Sequence, residues 1–294
     1  MLIEFERLGS LAAVAESLSY SKSAVSQQMA TLQKEVGAEL VLKRGKALEL
    51  TDQGHAMVRV AKKVLRELED ATTAIAREQG TLSGMLRIAC LQSVTQKLLP
   101  QAISLLSERH PQLSIELVQD ETIESVQSLI GGTVHVAIGE QFENVTVPLH
   151  QNVALIDLFS EPMMMAARPD VMDLGASVDQ LAKQRWVLEP PSSPCGRWAL
   201  DWCRRRGFEP RVQFVSEDLL SHIRLIEHGL AVGFLPHLVS PDVSDRVSMH
   251  AVTDGTRQVH LSTRVPMCEH PAVLELAETL QDLHIQTLPP SNNG

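Results

Sequence analysis

Apolar residues in the first part of the chain follow helical spacing. Residues 11–18 form an Ala-rich run that is typical of a short helix. After a short break, a second helix carries its apolar residues on a single stripe: Val25, Met29, Leu32 and Val36. Ser21 can cap this second helix by accepting a hydrogen bond from an early backbone amide, and Gly37 can end it in a left-handed conformation. The pattern predicts two helices joined by a tight turn.

The opposite face of the second helix carries small, amide and basic side chains. These are Ser23, Gln27, Ala30 and Lys34, with Lys22 and Ser26 on the flanks. Gln can pair with adenine, Ser can reach a base or a phosphate, and Lys can meet guanine or phosphate, so this face suits a reader of the DNA major groove. We therefore predict DNA contacts near the start of this helix: Ser21, Lys22, Ser23, Ser26 and Gln27.

Two short β-like runs follow, at residues 40–43 and 47–51, and the basic tip Arg44-Gly45-Lys46 joins them. Two helices followed by a basic hairpin are typical of a winged helix-turn-helix, in which the wing cations meet the phosphate backbone. Lys43 and Lys46 are the predicted wing contacts. A structural bundle with a solvated basic loop is the alternative, but the order of the elements favours DNA binding.

From residue 51 the pattern becomes one long helix that reaches about Glu78. A three-four alternation of apolar positions crosses this helix: Val58, Ala61, Leu65, Leu68, Thr72 and Ile75. Such a stripe can pack on the core of its own chain, but so long a helix directly after a wing is better explained as a dimer joint. We assign residues 1–51 to a winged helix-turn-helix domain and residues 52–79 to a linker or dimerisation helix.

Residues 80–294 alternate between strand-like and helix-like patterns. The predicted strands are residues 85–89, 113–117, 134–138, 162–167, 185–188, 212–215 and 231–235, and the predicted helices are residues 95–108, 122–130, 196–206 and 219–228. This alternation implies an α/β fold with parallel strands and helices on both faces. Two such series in tandem form two lobes, with a cleft at the carboxyl ends of their strands. We assign lobe I to residues 80–159 and 267–290, and lobe II to residues 160–266.

Composition is that of an ordinary soluble globular protein, with 44% hydrophobic and 21% charged residues. No apolar run approaches the roughly 20 residues that cross a bilayer, and the acidic start is not a signal peptide. We therefore expect a cytoplasmic protein with no membrane partner. The net charge of −10 is uneven, since residues 1–79 hold 11 basic and 11 acidic residues whereas residues 80–294 hold 15 and 25. A neutral N-terminal part can still bind DNA when its cations cluster on one face.

The four cysteines argue against a disulfide framework and against a zinc site, because none of them belongs to a CxxC motif. Cys195 and Cys203 could form a redox pair. However, eight residues of helix would separate their Cα atoms by about 12 Å, whereas a disulfide needs roughly 4.4–6.8 Å. We expect reduced thiols, no metal and no cofactor.

Motifs of common enzymes are absent from the sequence. It contains no GxSxG elbow, no P-loop, no HExxH and no GxGxxG after a strand. We therefore predict no catalytic residue. A solute-binding or enzymatic α/β protein with an N-terminal domain that does not bind DNA is the alternative.

The predicted cleft offers hydroxyl groups and helix N-termini, which suit a carboxylate. Its predicted residues are Ser93, Thr95, Thr122, Glu140, Ser192, Ser193 and Phe234. The Ser and Thr residues can equally serve as helix caps. Glu140 and Glu217 could balance an amino group, although most Glu residues are solvated surface charges. We expect a small organic acid as effector, with an amino acid as one possibility.

The N-terminal segment resembles the LysR-type transcriptional regulators. The resemblance rests on residues 9–15 (GSLAAVA), 18–28 (LSYSKSAVSQQ) and 50–54 (LTDQG), on Gly37 and Leu40, and on the wing cations Lys43 and Lys46. It implies that the predicted residues of the second helix approach the bases and that the wing lysines approach phosphates. Family members usually carry Gln and Pro in place of Lys22 and Ser23, and several more residues before Leu2. We therefore expect altered operator preference, and either a shortened first helix or a start upstream of Met1.

Residues 80–294 resemble the LysR-type effector-binding domain, which is itself similar to type 2 periplasmic solute-binding proteins. The matching segments are residues 98–100, 110–111, 131–132, 134–139 and 229–236. The resemblance implies a transcription regulator that a small molecule between the lobes controls, with Ser93 and Thr95 facing it. We expect a homodimer or homotetramer on an interrupted inverted repeat of double-stranded DNA, because two-fold protein symmetry demands matching half-sites.

Overall fold

The computed structural model describes residues 1–18, 20–44, 47–79, 82–143, 145, 151–173, 175 and 177–287. The chain divides into two compact units, Met1–Thr72 and Thr73–Gly294. The first unit is helical with a two-stranded wing, and the second is built on an eight-stranded sheet covered by helices. The predicted α/β fold class with an N-terminal winged helix-turn-helix is confirmed.

The first unit begins with three helices and a hairpin. These elements are α1 (Leu2–Leu8), α2 (Leu11–Ser17), α3 (Lys22–Val36), β1 (Val41–Arg44) and β2 (Ala47–Leu50). Both predicted caps of α3 are present. Ser21 Oγ accepts a hydrogen bond from the backbone N–H of Ala24 at 3.2 Å, and Gly37 ends the helix with a φ of 71°. Of the predicted apolar stripe, Val25 and Met29 are buried.

The wing is fixed to α3 by one amide side chain. Gln33 Oε1 accepts hydrogen bonds from the backbone N–H groups of Leu40 at 2.8 Å and Val41 at 3.1 Å. The antiparallel pair β1 and β2 runs from Val41 to Leu50, one residue inside the predicted bounds at each end. The next helix then packs closely on this corner, because a Cβ atom at Gly54 would lie 2.1 Å from the carbonyl oxygen of Leu40.

Helix α4 (Asp52–Gln79) is the predicted long helix. Its first apolar position, Val58, is buried in the core of the first unit, whereas Leu65 and Leu68 are 49% and 58% exposed. The side chains of Thr72 and Ile75, which we also placed on the stripe, lie outside the described residues. No helix in the described part of the chain is long and apolar enough to cross a membrane.

The second unit contains eight strands in one sheet. In chain order its elements are β3 (Gly84–Cys90), α5 (Gln92–Lys97), α6 (Leu99–Arg109), β4 (Leu113–Gln119), α7 (Thr122–Gly131), β5 (Val136–Phe142), β6 (Val153–Ala167), α8 (Val178–Lys183), β7 (Arg185–Leu188), α9 (Pro194–Arg205), β8 (Arg211–Val215), α10 (Leu219–Glu227), β9 (Val232–Pro236), β10 (Ser248–Arg264) and α11 (Pro271–Thr287), with 3-10 turns at His237–Asp242 and Val265–Met267. The strand order is β4-β3-β5-β10-β6-β9-β7-β8.

Parallel strands form the two flanks of this sheet, as the alternating pattern predicted. Strand β3 pairs in parallel with β4 and β5, and β7 pairs in parallel with β8 and β9. The centre differs from the prediction. There β6 and β10 form a long antiparallel ribbon, which is antiparallel to β5 on one side and to β9 on the other.

Two predicted elements were wrong in extent, and one strand was missed. Strand β6 begins at Val153 rather than residue 162, and β10 was not predicted at all. The predicted helix at residues 95–108 is two helices that break at Leu98. Pro100 explains this break, because proline lacks a backbone N–H and is tolerated only in the first turn of a helix. Our lobe boundaries stay a prediction.

Two hydrophobic clusters stabilise the two flanks. One contains Leu99 and Leu106 of α6 with Leu276 and Leu280 of α11. The other is aromatic and surrounds Phe234 of β9. The rings of Trp198 and Trp202 meet Phe234 edge-on, with centroids 5.0 and 5.1 Å away. The carboxyl end of β9 is therefore held rigidly where the strand meets the cleft.

Candidate functional site

The predicted DNA-reading face of α3 is open to solvent. Lys22, Ser23, Ser26 and Gln27 are all exposed. Ser21 is exposed as well, but its hydroxyl caps α3 and lies 3.0 Å from Ser23 Oγ. Its role in the first unit is therefore at least partly structural, whereas the other four side chains project from the first turns of α3 without being buried.

The wing adds cations beside this helix. Lys43 is exposed on β1. Arg44 is also exposed and lies 3.6 Å from Glu49 across the hairpin, a distance that allows only a weak ion pair. Lys46, the other predicted wing contact, lies outside the described residues.

A cavity of about 30 Å³ lies in the second unit. The residues that line it are Leu91, Gln92, Ser93, Glu121, Glu140, Met163, Glu189, Cys195, Glu217, Leu219, His222, Phe234, Pro236 and Arg257. Three of the seven predicted cleft residues, Ser93, Glu140 and Phe234, are among them. The cavity therefore lies where the two strand series were expected to meet.

The other predicted cleft residues do not line the cavity. Thr95 Oγ1 donates a hydrogen bond to the carbonyl oxygen of Cys90 at 3.2 Å. Ser193 Oγ caps α9 by accepting from the backbone N–H of Gly196 at 2.9 Å, and Ser192 is exposed. Ser193 is therefore a helix cap, Thr95 is bonded to the backbone at the end of β3, and Ser192 faces solvent.

Thr122 is the remaining predicted residue, and it supports a wall of the cleft from behind. Its Oγ1 accepts a hydrogen bond from the backbone N–H of Glu140 at 3.1 Å. The contact needs a glycine beside it, because a Cβ atom at Gly139 would lie 2.9 Å from Thr122 Cγ2. The hydroxyl thus helps to fix the strand that carries Glu140.

A buried arginine organises the floor of the cavity. Arg257 lies on β10 between β5, which carries Glu140, and β6, which carries Glu161. Its guanidinium donates to Glu140 Oε2 at 2.9 Å, to Glu161 through Nε at 2.9 Å and through Nη2, and to Ser93 Oγ at 3.0 and 3.1 Å. All four side chains are buried. The Ser93 hydroxyl therefore already accepts hydrogen bonds from Arg257, a cation of the protein itself.

Burial disfavours the charged forms of these side chains, and the attraction between their opposite charges counteracts that effect. Burial raises the pKa of Glu140 although Arg257 lies beside it. Burial alone would lower the pKa of Arg257, but Glu161 and Glu140 outweigh this effect and hold the pKa above its usual range. Arg257 therefore stays protonated, and its charge is shared between two carboxylates.

Further acids of the cavity have no such partner. Burial, followed by repulsion from Glu140 and Glu217, raises the pKa of Glu121 to about 7. Burial and repulsion from Glu140 raise the pKa of Glu189 to about 8. Burial lowers the pKa of His222, and its Nε2–H donates to the carbonyl oxygen of Ser216 at 2.8 Å.

A second cavity, of about 260 Å³, adjoins the first and shares Gln92, Glu121 and Glu217 with it. Its other lining residues are Gln119, Asp120 and Asp218. Most of the charged side chains that line the two cavities are therefore carboxylates. This charge favours the amino group that we placed near Glu140 and Glu217, and the class of effector stays a prediction.

Several cleft residues escaped the sequence interpretation. Arg257 and Glu161 were missed because the ribbon of β6 and β10 was not recognised. Glu189 and Cys195 flank the Ser192-Ser193 pair that we chose instead, and both line the cavity. Proximity to a predicted strand end was the available signal, but it could not tell which side chain of the loop points inward.

The cysteines carry no disulfide. Cys90, Cys195, Cys203 and Cys268 are all free thiols. Cys195 and Cys203 lie on one helix, α9, as the spacing argument required. Burial raises the pKa of both thiols, that of Cys203 to about 12. Neither thiol has the lowered pKa of a reactive cysteine.

Comparison with known proteins places both units in one family. Residues 1–55 match the bacterial regulatory helix-turn-helix proteins of the lysR family, and residues 79–284 match the LysR substrate binding domain. The HTH-type transcriptional regulator PtxR of Pseudomonas aeruginosa is 26% identical over 235 residues, which are 77% of this chain and 72% of that protein. A probable hydrogen peroxide-inducible genes activator of Mycobacterium leprae is 24% identical across 81% of this chain and 76% of that protein.

A solved structure shares the fold over nearly the whole chain. The crystal structure of full-length CbnR complexed with its target DNA covers 96% of this chain and 97% of that chain, with a TM-score of 0.57 and 22% identity. The two family matches together span the helix-turn-helix and the unit that holds the cleft. This chain belongs to the LysR family: it is a DNA-binding transcriptional regulator with an effector-binding domain, and not an enzyme.

Proposed function

We propose that this regulator reads an interrupted inverted repeat with the exposed face of α3 and that a small molecule in the acidic cleft changes its activity. The exposed polar face of α3, followed directly by a basic wing, is the observation that carries the DNA part. The fold neighbour CbnR was solved with its target DNA, which supports the same use of the first unit here.

Two kinds of DNA contact follow from the side chains. Gln27 can form a bidentate pair with adenine, and Ser23 and Ser26 can reach bases or phosphates. Lys22 and Lys43 neutralise phosphates or pair with guanine, and the same role is proposed for Lys46. Base readout therefore belongs to α3, and sequence-independent affinity belongs to the wing.

A homodimer or homotetramer is the proposed assembly. Leu65 and Leu68 are exposed on α4 within the described residues, and apolar side chains at this spacing suit a helix-to-helix contact. A two-fold pair of reading helices then requires two half-sites in the operator. The proposal places the protein in the cytoplasm, where bacterial DNA lies.

The test is a titration of fluorescent DNA from the flanks of the protein's own gene, at several salt concentrations. Gln27→Ala should lose about 1–3 kcal/mol of discrimination at one base pair of each half-site. Lys43→Ala should weaken all sequences alike and lower the salt slope by about one unit. Lys183→Ala, an exposed lysine of α8 in the second unit, serves as the matched control and should change neither quantity.

Two outcomes would overturn the proposal. The first is the absence of any sequence-selective, salt-sensitive binding by the wild-type protein. The second is full DNA binding by a protein in which Lys22, Gln27 and Lys43 are all alanine. If Gln27→Ala and Lys43→Ala gave the same base preference and salt slope, the division between readout and affinity would be wrong.

The effector proposed for the cleft carries an amino group. An organic acid without one would meet Glu121, Glu189 and Glu217 with no free cation to receive it. The ammonium group of an amino acid would neutralise part of this negative charge. An amino acid, which the sequence analysis named as one possible effector, is therefore retained in the proposal.

Peroxide sensing, which the name of the Mycobacterium leprae relative suggests, is not proposed for this chain. Burial raises the pKa of Cys90 and Cys203 to about 12 and raises that of Cys195 as well. Peroxide reacts with thiolates rather than thiols, so these groups are poorly suited to the reaction.

A further inference from the structure

The cleft holds more negative charge than its own side chains can neutralise. Arg257 is the one arginine or lysine among the described residues that line either cavity. Its guanidinium is already shared between Glu140 and Glu161. The remaining acids must therefore carry a proton, face water, or meet a charge that comes from outside the chain.

Glu121 and Glu189 are the two acids for which this matters most. They come from different elements, since Glu121 precedes α7 and Glu189 follows β7, and both are close enough to Glu140 for its charge to raise their pKa. Both line the inner cavity, and within the described part of the chain no arginine or lysine forms a hydrogen bond or ion pair with either acid. A partly buried carboxylate without a counter-charge is unfavourable. The raised pKa of each acid has the same physical origin.

The size of the two cavities limits what can enter. The inner cavity, of about 30 Å³, is far below the roughly 300–1,000 Å³ of typical ligand pockets, so it admits only a small head group. The outer cavity, of about 260 Å³, leaves room for a short chain and is lined by Asp120, Glu121, Glu217 and Asp218. The negative charge continues along the whole path.

We propose that the cleft takes an organic cation, with an ammonium group seated among Glu121, Glu140 and Glu189 and a short aliphatic chain leading into the acidic mouth. This inference rests on the proposed role of the cleft as the effector site. The chemistry is that of a diamine or of an amino acid with a basic side chain. Three carboxylates supply acceptors for the three N–H donors of a primary ammonium group.

A bare metal ion is the competing occupant. Donor atoms of Glu140, Glu189 and Cys195 lie within 4.8 Å of one another. An ammonium group needs only the carboxylates, whereas this metal site would need the thiolate of Cys195 as well. Substitution of Cys195 therefore separates the two occupants.

The experiment measures the Tm of the full-length protein with putrescine, lysine, succinate, butane-1,4-diol or zinc chloride. Putrescine or lysine should raise Tm by about 5–10 °C at a hundred times its Kd, while succinate and the neutral diol should not. Glu189→Gln and Glu121→Gln should each weaken the amine response at least tenfold. Cys195→Ser should leave the response intact, and so should Glu278→Gln, an exposed acid of α11 that serves as the control.

Loss of response in Glu189→Gln cannot be attributed to poor folding if its own Tm is higher than that of the wild-type protein, as removal of an unpaired acid predicts. A response to succinate alone, or to zinc alone with its loss in Cys195→Ser, would overturn the ammonium proposal. So would an amine response that Glu121→Gln and Glu189→Gln leave unchanged. Operator binding measured on the same preparation separates this failure from failure of the proposed regulatory function.

Discussion

The reading face of α3 and the acidic cleft hold their functional side chains in opposite ways. On α3, Ser23, Ser26 and Gln27 are exposed, and the helix is held by its caps and by its buried face. In the cleft, Arg257 is 3% exposed and donates to three other side chains. The side chains proposed to contact DNA can be changed without disturbing the fold, whereas those of the cleft also support the sheet.

The comparison bears on how substitutions should be interpreted. A change on α3 alters the preference for a partner and leaves stability close to that of the wild type. A change in the cleft alters stability and binding together, so a loss of regulation there is not by itself evidence of ligand contact. Stability has to be measured beside function for every cleft variant.

The largest expected effect is at the buried arginine. Arg257→Met leaves Glu140 and Glu161 buried without their cation, which should lower the free energy of unfolding by about 3–5 kcal/mol. Thermal or urea unfolding of the full-length protein measures this loss. Arg246→Met, at an exposed arginine, is the control and should stay within about 0.5 kcal/mol of the wild type.

Adding Glu140→Gln and Glu161→Gln to Arg257→Met should recover part of the lost stability, because the unpaired charges are then removed. If Arg257→Met were as stable as Arg246→Met, the cleft would support the fold no more than the exposed face of α3 does, and the comparison between the two regions would be wrong.

A smaller effect is expected from pH. Burial and repulsion from Glu140 raise the pKa of Glu189 from its ordinary value of 4.5 to about 8. Because the folded state holds this proton more tightly than the unfolded state, the stabilisation is complete below about pH 4.5 and is lost as pH rises towards 8. Glu189→Gln should therefore match the wild type near pH 4.5 and exceed its stability by a margin that grows as pH rises to 8.

Urea unfolding of both proteins between pH 4.5 and 8.5 tests the prediction. His260, which is buried, and His135, which is partly buried, have a pKa that burial lowers to about 4; they titrate in both proteins and cancel in the difference. The exposed control Glu278→Gln should show no growth of the difference with pH. A flat difference for Glu189→Gln would mean that this acid is solvated or paired.

The smallest expected effect separates two glutamines of α3. Gln33→Ala removes the acceptor of the Leu40 and Val41 N–H groups and should cost about 1 kcal/mol of stability. Gln27→Ala should cost less than about 0.5 kcal/mol while changing base preference. Equal costs for the two variants would show that the exposed face of α3 also supports the fold.

The first unit could be predicted closely from the sequence because its signals are local. The Ser21 cap, the Gly37 stop and the stripe containing Val25 and Met29 each act within one or two helical turns. The central ribbon could not be predicted in the same way. Strand β10 buries Arg257, His260 and Arg264 beside apolar residues, so its polarity pattern resembles neither an alternating strand nor a buried one.

The candidate cleft was predicted in part for a related reason. Ser93, Glu140 and Phe234 stand next to predicted strands, and that placement alone was enough to find them. Arg257 is 164 residues from Ser93 in the chain, and only the pairing of β5, β10 and β6 brings the two together. The charged lining of the cleft depends on such distant residues, so placement beside a strand end could not decide the class of effector.

The ribbon of β6 and β10 has a mechanical consequence. Its pairing is irregular between Ala251 and Thr256 and again between Val259 and His260, so Arg257 lies between two weak points of an otherwise continuous pair of strands. Irregular pairing bends strands and increases their twist. The ribbon joins the β4-β3-β5 flank to the β9-β7-β8 flank. A rotation of one flank against the other would therefore bend the ribbon near Arg257.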